Sequence, residues 1–293
     1  AGAEAAGDRW GVAVALTVRA WNALARGDTA VARDDAERSM ELFEELGDAW
    51  GRLQAMDNLA SLAELTGDLA RGRRLRGTAV DLAEELELSC DLPFLLCGLG
   101  QSALLAGDHE RSAELYERAR RMAVAQSIRL GQIVAEIGLG RAARRRGDLD
   151  AAETLLRGVL DWHRGRGYEP GTAALIWVEL GFAAEQRGDA RAALDLHTEG
   201  YEAAVTSGDS RTSALALEGL AGAYALAGDH VRAARLLGAA ATVREKAGTP
   251  LAPAERPDVE RAADRARAAL GEQAYLAEHG HGASLPPADI LEG

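Results

Sequence analysis

The dipeptide Gly-Asp recurs at Gly27-Asp28, Gly67-Asp68, Gly107-Asp108, Gly147-Asp148, Gly188-Asp189 and Gly228-Asp229, at intervals of 40, 40, 40, 41 and 40 residues. A second set, Gly7-Asp8, Gly47-Asp48 and Gly208-Asp209, lies 20 residues before three of these. A fixed period in this range means stacked repeats. Gly closes a helix in the left-handed conformation without a Cβ clash. Asp accepts hydrogen bonds from the free N–H groups of the next helix, and its charge suits that helix's dipole. Gly-Asp is therefore a hinge between a helix that ends and one that starts. The spacing leaves room for a helix of about 16–18 residues, roughly 25 Å long. The chain reads as hairpins of two antiparallel helices, one per 40 residues.

The residues around each hinge agree. Eight positions before the second Gly of each hairpin stand Leu59, Leu99, Leu139, Leu180 and Leu220, with Arg19 the exception. A small residue follows each: Ala20, Ala60, Gly100, Gly140, Gly181, Ala221. Four positions before the Gly stand Ala23, Ala63, Ala103, Ala143, Ala184 and Tyr224, and five after it Ala32, Gly72, Ser112, Ala152, Ala193 and Ala233. This is a one-face helical pattern, and its small members let a neighbouring helix approach closely. At these residues the chain resembles the tetratricopeptide repeat family. The resemblance covers about residues 9–247 in six repeats, the later ones near 48–87, 91–127, 128–166, 170–207 and 209–247. It implies an all-α, right-handed superhelical solenoid of about six 40-residue hairpins with C-terminal capping helices. The chain departs from the family at Arg19, Arg76 and Glu136, usually apolar sites, at Ser39, and in lacking the terminal Pro.

The expected organisation is a lead-in at 1–8, six repeats at 9–247, and capping helices and a tail at 248–293. Pro250, Pro253 and Pro257 mark a loop where the period breaks. Beyond it a helix runs from Pro253 or Asp258 to Leu270, with Val259, Ala262, Ala263, Ala266 and Leu270 on its apolar side. A short helix near 271–279, a Gly-His loop and a last turn around Ala288–Leu291 follow. A solenoid covers its last apolar face with such atypical elements.

At 293 residues a single core is near its size limit, which a solenoid avoids because each repeat packs only on its neighbours. A net charge of −13 disfavours direct nucleic-acid binding. Cys90 and Cys97 would lie about 10 Å apart on one helix, too far for a disulfide. Two free thiols fit a reducing cytosol, and the expected location is cytoplasmic. No apolar stretch approaches the ~18 residues of a membrane span. The abrupt start suggests a piece of a larger protein.

A second resemblance lies in the tail. Ala234 to Ala240, Pro250 to Ala254 and Ala269 to Ala274 look like the C-terminal end of LuxR-type large ATP-binding regulators and related antibiotic-pathway (SARP-like) regulators of bacteria. It implies a parent chain with DNA-binding and ATPase modules and a regulatory role for this region. No phosphate loop stands in the sequence, and Lys246 is its only lysine. The alternative is a stand-alone scaffold that recruits partner proteins.

In tetratricopeptide solenoids the first (A) helices of the hairpins line a concave groove. Carried across, those positions are Trp21, then Gln54, Asp57, Asn58 and Ser61, then Phe94, Cys97 and Gln101. The fourth repeat adds Arg141, Arg144 and Arg145, the fifth Glu179, Phe182 and Glu185. Aromatics supply buried area while amides and Arg orient a ligand, so a protein, peptide or small-molecule effector is the expected partner. Arg141 and Phe182 should then point away from the repeat core and be dispensable for folding. Arg141 to Arg146 also suit a helix C-terminus, and Arg71 to Arg76 read as a solvated convex face. His109 and His230 follow hinges, while Trp162, His163 and His197 read as packing. No nucleophile elbow or metal-ligand spacing appears, so no catalytic residue, metal or cofactor is expected.

Overall fold

The structure, a computed structural model, describes residues 8–163 and 170–292, and no side chain of residues 163–172. The expected lead-in, apart from Asp8, and the side chain of His163 lie outside the described residues. Among these residues there are fifteen α-helices and no strand. They are α1 (Arg9–Ala25), α2 (Thr29–Leu46), α3 (Ala49–Leu65), α4 (Leu69–Glu85), α5 (Leu92–Leu105), α6 (His109–Ala125), α7 (Arg129–Arg145) and α8 (Leu149–His163). Then come α9 (Pro170–Gln186), α10 (Ala190–Ser207), α11 (Ser210–Ala227), α12 (His230–Ala247), α13 (Arg256–Leu270), α14 (Glu272–Ser284) and α15 (Pro287–Glu292). The chain forms two compact units, Ala1–Leu139 and Gly140–Gly293. Odd-numbered helices up to α11 are the A helices of successive hairpins.

The Gly-Asp hinges contain no spare residue. At the α1–α2 hinge the Gly27 N–H donates to the Leu24 carbonyl and the Asp28 N–H to that of Ala23, at 3.0 and 2.9 Å. That pair of bonds closes the helix when the glycine is left-handed. The glycines of the Gly-Asp hinges have φ between 67° and 93°. The Asp28 carboxylate then accepts the Val31 N–H and caps α2. One Asp thus ends one helix and starts the next. The same geometry recurs at Gly147-Asp148, where Asp148 accepts the Ala151 N–H at 3.2 Å. Two members of the 20-residue series are not glycine: Glu87 (φ 54°) and Ser127 (φ 57°) take the left-handed position. Gly147→Val is expected to destabilise by more than about 1 kcal/mol, because a β-branched residue is penalised at positive φ. Asp148→Ala should cost about 0.5–2 kcal/mol through the lost cap. Urea melts of both variants check this, and unchanged midpoints would contradict the hinge.

The small residues do what their spacing implies. Within the first unit a Cβ at Gly100 would meet the Tyr116 ring at 3.1 Å. Within the second, one at Gly140 would lie 2.7 Å from Leu156, and one at Gly181 2.7 Å from the His197 ring. The small positions after the hinges, Ala32, Ser112, Ala152, Ala193 and Ala233, are fully buried.

The tail differs from its expected form. The anticipated Gly-His loop is helical: Gly280, His281 and Gly282 lie inside α14. The reason is packing. Gly282 sits backbone-to-backbone against α12, where a Cβ would fall 2.0 Å from the Arg235 carbonyl oxygen, and Gly238 faces it reciprocally, 2.0 Å from that of His279. Burial against α12 outweighs the weak helix propensity of glycine.

Candidate functional site

In the first unit the A-helix face is open and aromatic. Trp10 and Trp21 are eleven residues apart, which returns to nearly the same side of α1 after three turns. Trp50 takes Trp10's place one repeat later on α3, and Leu130 two repeats beyond that on α7. Trp21 is 61% and Leu130 63% exposed; Trp10, Trp50, Phe94 and Val134 are exposed as well. The two indoles at the helix starts are oriented by the next repeat. Trp10 Nε1–H donates to Asp48 at 2.6 Å, and Trp50 Nε1–H to Asp91 at 3.4 Å. Trp21, Asp57, Phe94 and Gln101 all keep accessible surface here. Gln101 accepts from the Tyr116 hydroxyl at 3.3 Å, and Asp57 pairs with Arg76.

Three residues expected at the surface are buried. Asn58 is buried and donates to the Thr17 carbonyl at 2.9 Å, tying α3 to α1. Cys97 is buried, and burial pushes its thiol up to about 12. Arg76, read as part of a solvated convex face with Arg71, Arg73 and Arg74, is buried as well. Its Nε donates to Glu64 at 3.0 Å and its Nη2 to Ser61 at 2.9 Å. Gly98 leaves the space, since a Cβ there would fall 2.3 Å from the guanidinium. Trp10, Trp50, Leu130 and Val134 were not among the expected site residues. The recurrence of Trp10 as Trp50, one repeat later, is the sequence signal that could have found two of them.

The second unit has the opposite arrangement. Arg141, Arg144, Glu179, Phe182 and Glu185, expected to line an open groove, are all buried. The expectation that Arg141 and Phe182 point away from the core is overturned. Arg144 is the centre of an ionic cluster. Its Nε donates to Glu179 at 2.6 Å, and its two terminal nitrogens to Asp258 of α13 at 3.2 and 3.1 Å. Arg141 Nε donates to Glu179 at 3.0 Å and Arg145 Nη1 to Asp258 at 2.8 Å. The Arg144 guanidinium also lies 4.8 Å from the Phe182 ring centroid. Burial alone would raise the Glu179 carboxyl, but Arg144, Arg145 and Arg141 override it and hold it down at about 2. Asp258 is likewise held below the usual carboxylate range, against burial, by Arg144 and Arg145. The acidic partner of this basic helix end is the chain's own α13.

A second cluster anchors the segment before α13. Arg244 donates to Glu218 at 2.5 and 2.8 Å and to Glu255 at 3.2 Å. Glu185 accepts from Arg261 at 3.0 and 3.1 Å and from Arg265 at 2.8 Å.

His197 packs as read, fully buried and edge-on to Phe182 at 4.7 Å, with neither ring nitrogen hydrogen-bonded. Burial, with Arg144 nearby, pushes its imidazole down to about 3, while Asp258 and Glu179 act weakly the other way. In the unfolded chain it titrates near 6.5. Between these values only the unfolded state binds the proton, so stability falls as pH falls from about 6.5 towards about 3. From pH 7.5 to 5 the loss should be about 2 kcal/mol. His279, also depressed by burial, adds to the slope. Glu179 and Asp258 lose their contribution only at lower pH. Urea melts of wild type and His197→Phe across this range check the assignment; an unaltered slope in the variant would refute it.

No protein-family model matches the chain, and no curated protein does. Solved structures do match. A Rap protein complexed with Competence and Sporulation Factor superposes with a TM-score of 0.61 at 15% identity, covering 90% of this chain and 75% of that one. BtubC from P. vanneervenii superposes with a TM-score of 0.52 at 18% identity, covering 76% and 90%. The fold is a tetratricopeptide-like helical repeat. Within this repeat no cluster of metal-ligating side chains occurs among the described residues. No helix among them is long and apolar enough to cross a membrane.

Proposed function

We propose that the chain is a non-catalytic interaction module that binds a protein segment or peptide on the A-helix face of its first unit. One observation carries the reading. Large apolar side chains stand exposed on that face, with Trp21 at 61%, whereas no exposed large apolar residue lies among the described residues of α9 or α11. Buried area from Trp and Phe dominates binding energy at interfaces, and Asp57 and Gln101 supply polar orientation beside them. The Rap protein, whose structure is a complex with Competence and Sporulation Factor, agrees with such a use of the fold. The finer reading is that the module is the cytoplasmic regulatory part of an ATP-dependent bacterial transcription regulator, acting on linked ATPase and DNA-binding modules. Its support is the resemblance at Ala234–Ala240, Pro250–Ala254 and Ala269–Ala274.

The test is selection of binders from a displayed random-peptide library on the intact chain. Enriched peptides should bind Trp21→Ala plus Phe94→Ala at least tenfold more weakly. The melting temperature should stay within a few degrees, since both side chains are partly exposed. Undiminished binding by the folded double variant would remove the surface from this face.

A further inference from the structure

The A helices of the second unit are covered by one helix, α13, and the cover is made of charge pairs. Asp258, Arg261 and Arg265 stand at positions i, i+3 and i+7, one stripe along α13. Asp258 meets Arg144 and Arg145 at the end of α7, while Arg261 and Arg265 converge on Glu185 at the end of α9. The adjoining stripe, Val259, Ala262, Ala263 and Ala266, packs against α11 and α12. Sign and spacing are complementary: two arginines await an acid, and one buried acid awaits two arginines.

We propose that this face is a helix-docking site, held shut by α13, that accepts in trans an amphipathic helix of α13's own pattern: an acid, then arginine three and seven residues later, beside a row of alanines. Three features favour an exchangeable seat over a permanent cap. The apolar residues that α13 buries are mostly alanines, which bury little area each. Its remaining contacts are ion pairs, which give register and partner choice more than net stability. And α14, next in the chain, is held independently: Gly282 and Gly238 bring α14 and α12 into backbone contact, and Thr242 donates to the Ala283 carbonyl at 3.0 Å. The segment between the Glu255 anchor and α14, Arg256 to Gly271, can therefore leave while the chain on either side stays docked. Gly271, at φ 79° and ψ 157°, is a one-residue joint available essentially to glycine alone.

Tethering gives α13 an effective concentration of order millimolar, so the closed chain excludes a free helix. The probe is a labelled synthetic peptide of residues 252–271. Wild-type chain should not bind it at micromolar concentration. The full chain carrying Arg261→Ala plus Arg265→Ala, which loosens the resident helix, should bind it at least tenfold more tightly. A peptide with the same two arginines replaced by glutamate should not bind. A folded variant that ignores the peptide, or wild type that binds it equally well, would overturn the proposal. Hydrogen exchange on wild type decides independently of any variant. The amides of α13 should exchange at least tenfold faster than those of α12 and α14; equal protection would make α13 a fixed cap.

Discussion

Replacing Arg144 with methionine is expected to destabilise the second unit by about 3–5 kcal/mol, the usual result of breaking a buried ion pair from one side. The guanidinium is fully buried between Glu179 and Asp258, and both carboxylates are buried with it. Removing the cation leaves Glu179 hydrogen-bonded to Arg141, and its carboxyl should rise from about 2 toward protonation. The contact with Phe182 is lost too. The competing account of this residue, a cation complementing a helix C-terminus, allows only about 0.3–1 kcal/mol. Urea denaturation separates the two by magnitude. Adding Glu179→Met to Arg144→Met should recover part of the loss, because the stranded charge goes with it. A loss below about 1 kcal/mol for the single variant would show that the cluster is solvated.

Gly238→Val is the second large effect, expected at about 3 kcal/mol, the upper range for overpacking. Its Cβ would fall 2.0 Å from a backbone oxygen of α14, and backbone has no rotamer by which to yield. The two helices must separate, which loosens Tyr275 and Ile290 from the core they share with Leu236 and Leu237. Gly158→Val is the control for the same change on a helix. Nothing lies within 4 Å of that position, so its melting temperature should barely move. Calorimetry of both variants tests this; equal effects would mean that the α12–α14 contact gives way freely.

The hairpin architecture was legible in the residues themselves. A hinge of Gly and Asp acts within its own few residues, through a positive φ and a cap three residues on, so local sequence determines it. The small residues at fixed offsets were legible for the same reason: period and size survive without knowing the neighbour. Glu87 and Ser127 take the left-handed position without a glycine, so these two hinges carried no Gly-Asp mark and were legible only from the period. The exposed face of the first unit was half legible: Trp21, Asp57, Phe94 and Gln101 stood out by register, whereas Trp10, Trp50, Leu130 and Val134 were missed. The fate of the second unit's face was decided by tertiary structure alone. Arg144 and Asp258 are 114 residues apart, and no periodicity links them. Coulomb attraction and burial depend on distance in space, and only the folded tail brings that acid to those arginines. A charged stripe on an A helix therefore reads the same whether it awaits a ligand or already holds a helix of its own chain.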